Sequence, residues 1–213
     1  LALSITLSVT VLMTALFMVL SPVIGLGVSY ALMGGIGLFF RGPLSQRANK
    51  GFGGVQLLSS ALLSLGHGGN DSQKTIGIIT ALMFANGLLG AQFHVPWFVA
   101  AASYAAMGLG TMAGGWKIIK TMGEKVTTLD RSMGAAAEVG AGAAIMLSTW
   151  LGIPVSTTHV VTGSVAGVGA AHSGAASVKW GTLAKIGWAW VLTIPLSALV
   201  SAALYFLFAI LLA

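Results

Sequence analysis

Hydrophobic residues run through this chain in long blocks, and the polar positions between them are few and grouped. Leu1 to Phe40 and Val139 to Val178 hold no Lys, Arg, Asp or Glu. At roughly 20 residues per crossing, each block suffices for about two membrane spans. The pattern predicts apolar segments at 1–20 and 23–40, parted by Ser21-Pro22, then 53–92 interrupted at 66–73, 97–115, 133–171 interrupted at 152–159, and 186–212. Basic loops are expected at 41–52 and 116–131, and a short turn around His94 to Pro96. At 1.5 Å per residue the stretch 53–65 is too short to cross a bilayer, so it is expected either to break at mid-membrane or to turn back. Such backbone survives at that depth only inside protein or beside a water-filled cavity. The fold class expected is all-α: a polytopic helical membrane protein with broken or re-entrant helices.

Composition agrees with the pattern. Of 213 residues 56% are hydrophobic and 7% charged, against about 25% charged in soluble domains. The formal net charge of +6 would suggest nucleic acid in a soluble protein. Here most of the cations fall between apolar runs, at Arg41, Arg47 and Lys50, at Lys117, Lys120, Lys125 and Arg131, and at Lys179 and Lys185. Such clusters mark cytoplasmic loops, so no nucleic-acid partner is expected. The rule leaves the topology after residue 131 open. Cysteine is absent, which removes disulfides and thiolate metal sites. The 30 glycines, with Ala and Ser, allow helix backbones to approach closely. Trp97, Trp116, Trp180, Trp188 and Trp190 are expected at the membrane interfaces, with His94 and His172 as interfacial turn residues. No basic region precedes the first apolar run, so a secretory signal is not expected, and the missing Met suggests a processed, trimmed or partial product.

Two polar islands break this background, GHGGNDSQK at 66–74 and GIPVSTTH at 152–159. Pro154 cannot continue a helix, and Gly68, Gly69 and Gly152 loosen one. Paired unwound points in an apolar chain point to a binding site. A cavity lined by Asn70, Asp71, Ser72, Ser156, Thr157 and Thr158 would offer an amide, hydroxyls, one carboxylate and free N–H groups at helix N-termini, which favour anions. That set suits a small tetrahedral oxyanion. Asp71 and Glu138, with unwound carbonyls, suit a monovalent cation or a proton. Together they describe cation-coupled anion uptake. Structural alternatives stand beside each assignment: an Asp71–Lys74 pair on one helix turn, Glu138 bonded to a neighbouring helix, hydroxyls acting as helix caps. His67 and His159 fit hinge support as well as proton relay. With four His and no Cys no metal site is expected, and no cofactor. An intramembrane hydrolase is disfavoured because Ser156 lies in no Gly-x-Ser-x-Gly elbow. A passive channel fits broken helices with an acidic centre less well than alternating access does.

The run His67-Gly-Gly-Asn-Asp71 with Gln73-Lys74 and Gly77-Ile-Ile79, then Glu138, then Gly152-Ile-Pro-Val-Ser-Thr-Thr-His159 with Gly163 and Gly167-Val-Gly169, resembles the inorganic phosphate transporter (PiT) family over essentially the whole chain. Ser21-Pro-Val-Ile-Gly25 resembles the start of a span ahead of the first motif. The resemblance implies a multi-pass plasma-membrane symporter that carries phosphate with Na⁺ or H⁺, with arsenate as a competing analogue. Family members have two halves of inverted topology, each with one Asn-Asp and one Pro-x-Ser-Thr-Thr motif. This chain has one copy of each and matches the C-terminal half of bacterial members. An N-terminal half, a second subunit or a second copy is therefore the expected partner, besides phosphate and the lipid bilayer; a non-transporting scaffold or half-site is the alternative. Carried over, Asn70, Asp71, Ser72, Ser156, Thr157 and Thr158 would bind phosphate. Asp71, Glu138 and Asn70 would serve cation coupling, and His67, Gly68, Gly69, Lys74, Pro154 and His159 would support the site.

Overall fold

A computed structural model describes residues 2–40, 46–153 and 155–211. Among the described residues six α-helices follow one another: α1 (Ala2–Phe39), α2 (Gln46–Ala85), α3 (Trp97–Lys120), α4 (Arg131–Trp150), α5 (Thr157–Ser173) and α6 (Trp180–Leu211). A π-helical turn, Thr121–Val126, links α3 to α4, and a 3₁₀ turn, Ala175–Ser177, follows α5. No strand occurs among the described residues. The chain divides into two units, Leu1–Val178 and Lys179–Ala213. The second consists of α6, a 32-residue apolar helix with Pro195 inside it. Among the described residues two stretches are apolar and long enough to cross a bilayer by themselves, Val11–Phe39 and Trp180–Leu211.

The first unit is organised by two helix pairs. In one, α5 advances along α1 in constant register. The His159 ring meets the Met18 carbonyl, and a Cβ on Gly163 or Gly167 would strike the backbone of Pro22 or Leu26. Both partners ascend together, so the helices run parallel. Gly25 returns the fit, since a Cβ there would overlap the Val160 carbonyl, and Ser164 Oγ donates to Gly25 O at 3.2 Å. Without a hydrophobic force between helices in lipid, such close backbone approach is what favours association. In the other pair α2 and α4 also run parallel, through Gly53 against Arg131, Gln56 against Gly134 and Gly66 against Met146. Ser59 bonded to Glu138 and Asn70 bonded to Thr149 continue that ladder. Ala141, Ala144, Ile145, Val155 and Val160 form a small buried core, with Phe17, Leu63, Ile153 and Val161 against it.

Two expected breaks turn out differently. The chain does not part at Ser21-Pro22: α1 runs through as one helix of 38 residues with Pro22 inside. Proline has no N–H for the carbonyl four residues back, which is Met18, and the His159 ring takes that carbonyl at 2.9 Å. Nor is the chain unwound at 66–73, because α2 is a continuous helix of 40 residues. Glycines there disfavour helix by only about 1 kcal/mol each relative to alanine, and Asp71 bonds back to His67 and forward to Lys74 along the helix. Continuity also removes the re-entrant hairpin at 53–65. The segment expected to reach residue 92 stops at Ala85 and turns through Gly87 and Gly90, each at φ 71°. Of the basic loop expected at 41–52, residues 46–52 are helical and 41–45 lie outside the described residues. In the loop expected at 116–131, α3 continues to Lys120.

Between Trp150 and Thr157 the chain does leave the helix. Gly152 sits at φ 68°, with Gly152 N bonded to Thr149 O at 3.1 Å and Ile153 N to Ser148 O at 2.8 Å. This is a Schellman ending, which needs a left-handed residue after the cap. Asp130 starts α4: its Oδ1 accepts from Met133 N at 2.8 Å and from Ser132 Oγ at 2.7 Å.

Two outcomes follow. Gly163→Val should drive a side chain into the Pro22 backbone and lower the stability of the purified protein by about 1–3 kcal/mol, read as a fall in unfolding midpoint; an unchanged midpoint would mean that α1 and α5 are not in contact there. At Asp130, in the polar connection before α4, burial would raise the carboxyl, but the Met133 N–H, the Ser132 hydroxyl and nearby His172 outweigh it and hold it below the usual carboxylate range. Its stabilisation should therefore be present above the unfolded carboxylate pKa of about 3.9 and fade as pH falls through the folded value. Asp130→Ala should cost about 1 kcal/mol at neutral pH and flatten the acid limb of a stability-against-pH curve, whereas an acid limb as steep as that of the unmodified chain would assign it to other carboxylates.

Candidate functional site

The break before α5 fixes the position of its first turn. Ser156 is the N-cap, its Oγ accepting from His159 N at 3.4 Å, and the turn opens with Thr157 and Thr158. The first N–H groups of a helix have no partner within it and carry the positive end of its dipole. Thr157 Oγ1 donates to Asp71 Oδ2 at 3.1 Å, tying α5 to the middle of α2.

Asp71 gathers the polar groups of α2. His67 Nε2 donates to Oδ2 at 3.0 Å from one turn below, and Lys74 Nζ lies 2.8 Å from Oδ1 on the next turn. The carboxylate thus holds two α2 donors and one from α5. Beside it a cavity of about 400 Å³ is lined by Thr14, Met18, Asp71, Lys74, Val155, Ser156, Thr157 and Thr158. One ammonium, one carboxylate, three hydroxyls of the second motif and a helix N-terminus meet there.

The expected residues divide. Asp71, Lys74, Ser156, Thr157 and Thr158 come together, with His67 behind Asp71. Asn70 is adjacent in sequence but directs Nδ2 to Thr149 Oγ1 on α4, at 3.2 Å. Ser72 does not line the cavity. It is buried, its hydroxyl without a partner, on a stripe with Ile76 and Thr80 that lies about 200° around the helix from Asn70 at 100° per residue. Gly68 and Gly69 have no atom within 4 Å of where a Cβ would stand. His159 points to α1, and Pro154 lies outside the described residues.

Glu138 occupies a different place. It accepts from Ser59 Oγ at 2.7 Å, and Ser59 precedes Asp71 by 12 residues on α2, about 18 Å at 1.5 Å per residue. A second cavity of about 590 Å³ lies there, with Gln56, Leu63, Trp116, Glu124 and Glu138 among its lining residues. No group of three or more metal-ligating side chains occurs among the described residues. Sequence reasoning missed Thr14 and Met18, which sit in an unbroken apolar run and carry no motif. It also missed Gln56 and Ser59, although a polar pair in the apolar stretch 53–65 is a usable signal.

A phosphate transporter family profile matches residues 41–201. The chain is 46% identical over 195 residues to a protein of Rhizobium meliloti (strain 1021) named "Probable low-affinity inorganic phosphate transporter", covering 92% of this chain and 58% of that protein. A Bacillus subtilis (strain 168) protein of the same name is 40% identical over 190 residues, covering 89% of this chain and 57% of its own length. The chain therefore spans less than two thirds of these relatives, and in the first it matches the C-terminal portion. Among solved structures, one named "The sodium-dependent phosphate transporter" superposes with a TM-score of 0.78 at 25% identity, over 94% of this chain and 67% of that one.

Proposed function

The chain belongs to the phosphate transporter family, a family of membrane transporters rather than enzymes, and on that premise we propose that it forms one part of a multi-pass plasma-membrane symporter for inorganic phosphate. The observation that carries this reading is the cavity in which Lys74, Asp71 and Ser156, Thr157 and Thr158 converge on the start of α5. A helix N-terminus favours an oxyanion, and hydroxyls satisfy its oxygens without the strong hold of a guanidinium. Such a site can release its ligand. Lys74 adds positive field, while Asp71 accepts a hydrogen bond from protonated phosphate or holds the coupled cation.

Asn70 and Ser72 belong to this proposal only through motion, since Asn70 bonds to Thr149 and Ser72 is buried away from the cavity. Glu138, hydrogen-bonded to Ser59, is a coupling residue at a distance from the anion. Na⁺ is favoured over H⁺ because the superposed transporter is named as sodium-dependent. The fraction of its relatives that the chain spans, 58% and 57%, favours a partner half, second subunit or second copy to complete the site. It also sustains the alternative of a half-site that binds without transporting.

Radiolabelled phosphate uptake into proteoliposomes holding this chain, with Na⁺ and pH gradients imposed separately, tests the reading. Uptake should follow one gradient and be abolished in Asp71→Asn while the protein stays inserted. Unchanged cation dependence in that variant would remove Asp71 from the mechanism, and bound phosphate without uptake would favour the half-site. Arsenate, a tetrahedral oxyanion of the same hydrogen-bonding pattern, should compete; failure of excess arsenate to inhibit uptake or binding would count against the anion site.

A further inference from the structure

His159 is buried, at 8% exposure, and plays no part in the anion cavity lining. Its Nδ1 lies 2.9 Å from Met18 O, 141 residues away. That carbonyl is the one Pro22 leaves without its helical donor, because proline at position i removes the bond to the carbonyl at i−4. A carbonyl only accepts, so Nδ1 carries the proton. The bonded residue is also a wall of the cavity: Met18, with Thr14 one turn earlier on α1, lines it together with Asp71 and the first turn of α5. Directly beyond, Gly163 and Gly167 admit the backbone of Pro22 and Leu26. The segment of α1 from Pro22 onward is thus met by glycine contact, whereas the segment before it, which carries the wall, meets α5 through the imidazole and packs Phe17 against the small core.

We infer that His159 is a positioning residue for the anion cavity: by donating from Nδ1 to the carbonyl that Pro22 orphans, it fixes the Thr14–Met18 wall of α1 against the first turn of α5. The role belongs to one ring atom. Asparagine, whose Nδ2 stands where Nδ1 does, can replace it; glutamine, whose donor stands nearer Nε2, cannot. It also depends on the proline. In Pro22→Ala the new N–H restores the helical bond to Met18 O, and the imidazole becomes dispensable to the wall.

This inference rests on the reading of the cavity as the phosphate site, and the test separates the two. The chain has no cysteine, so Thr14→Cys is a unique probe of the wall, labelled in the purified chain with a hydrophilic maleimide. His159→Gln should change the labelling rate by about fivefold or more, the scale of one lost hydrogen bond to a buried carbonyl. His159→Asn should stay within about twofold, and in a Pro22→Ala background His159→Gln should also fall within about twofold. Equal effects of Asn and Gln, or an undiminished effect of His159→Gln beside Pro22→Ala, would overturn the inference. Ser103→Cys, buried on α3, monitors unfolding: if its labelling rises in step with that of Thr14→Cys, His159 is a general prop and the positioning role fails. Phosphate should slow Thr14→Cys labelling in the otherwise unmodified chain. The predicted variant pattern without phosphate protection would uphold the positioning role and sink the phosphate reading alone.

Discussion

In hydrocarbon no water is available to satisfy a backbone carbonyl, so a proline inside a spanning helix leaves an acceptor that another segment must satisfy. Met18 O is such a group, and α5 supplies the donor. The glycines at 25, 163 and 167 then let the two backbones touch along the same register. This contact fixes where α5 lies against α1. Through the Thr157–Asp71 bond it also fixes where the first turn of α5 meets α2. The cavity is the space left where these three helices converge.

The second parallel pair, α2 with α4, has a different chemistry. Its contacts alternate glycine with polar groups, from Gly53 and Gln56 through Ser59 and Gly66 to Asn70. Glu138 and Asp71 are held near different stations of one long helix, each carboxylate with donors close by. Unpaired, either would be costly in a membrane. Asp71 with Lys74 forms a pair of zero net charge. In the proposed anion site the field of Lys74 is thereby partly offset by Asp71, and the hydroxyls and the dipole of α5 add to what is left.

The sequence made the apolar character, the two polar islands and the convergence of Asp71, Lys74 and the Ser156–Thr158 run legible, because intramembrane polar residues are rare and hydroxyls after a helix break have few uses. It misled on continuity. Gly68-Gly69 and Pro22 are breakers by local propensity, yet Asp71 bridges its own helix to both sides and His159 repairs the proline from a distant segment. The first repair is local and its Asp71–Lys74 part was readable as a pair on one helix turn; the second comes from 141 residues away and leaves no local trace. The orientations of Asn70 and Ser72 were hidden for a related reason: within a motif read as unwound, adjacent residues share one cavity, whereas on a helix they face different ways.

The separation of 141 residues between Met18 and His159 sets a timetable for biogenesis. At roughly 5–20 residues per second of synthesis, the ribosome needs about 7–28 s after making Met18 before His159 exists. Throughout that interval α1 has an unsatisfied carbonyl and, along Pro22, Gly25 and Leu26, a bare surface whose proper neighbour has not been made. Lipid offers no hydrogen-bond donor in its core, so the nascent helix depends on the insertion machinery, on water at the interface or on temporary protein neighbours until α5 arrives. A proline that the finished protein accommodates with one histidine makes the order of assembly, as well as the final packing, a property written into the chain.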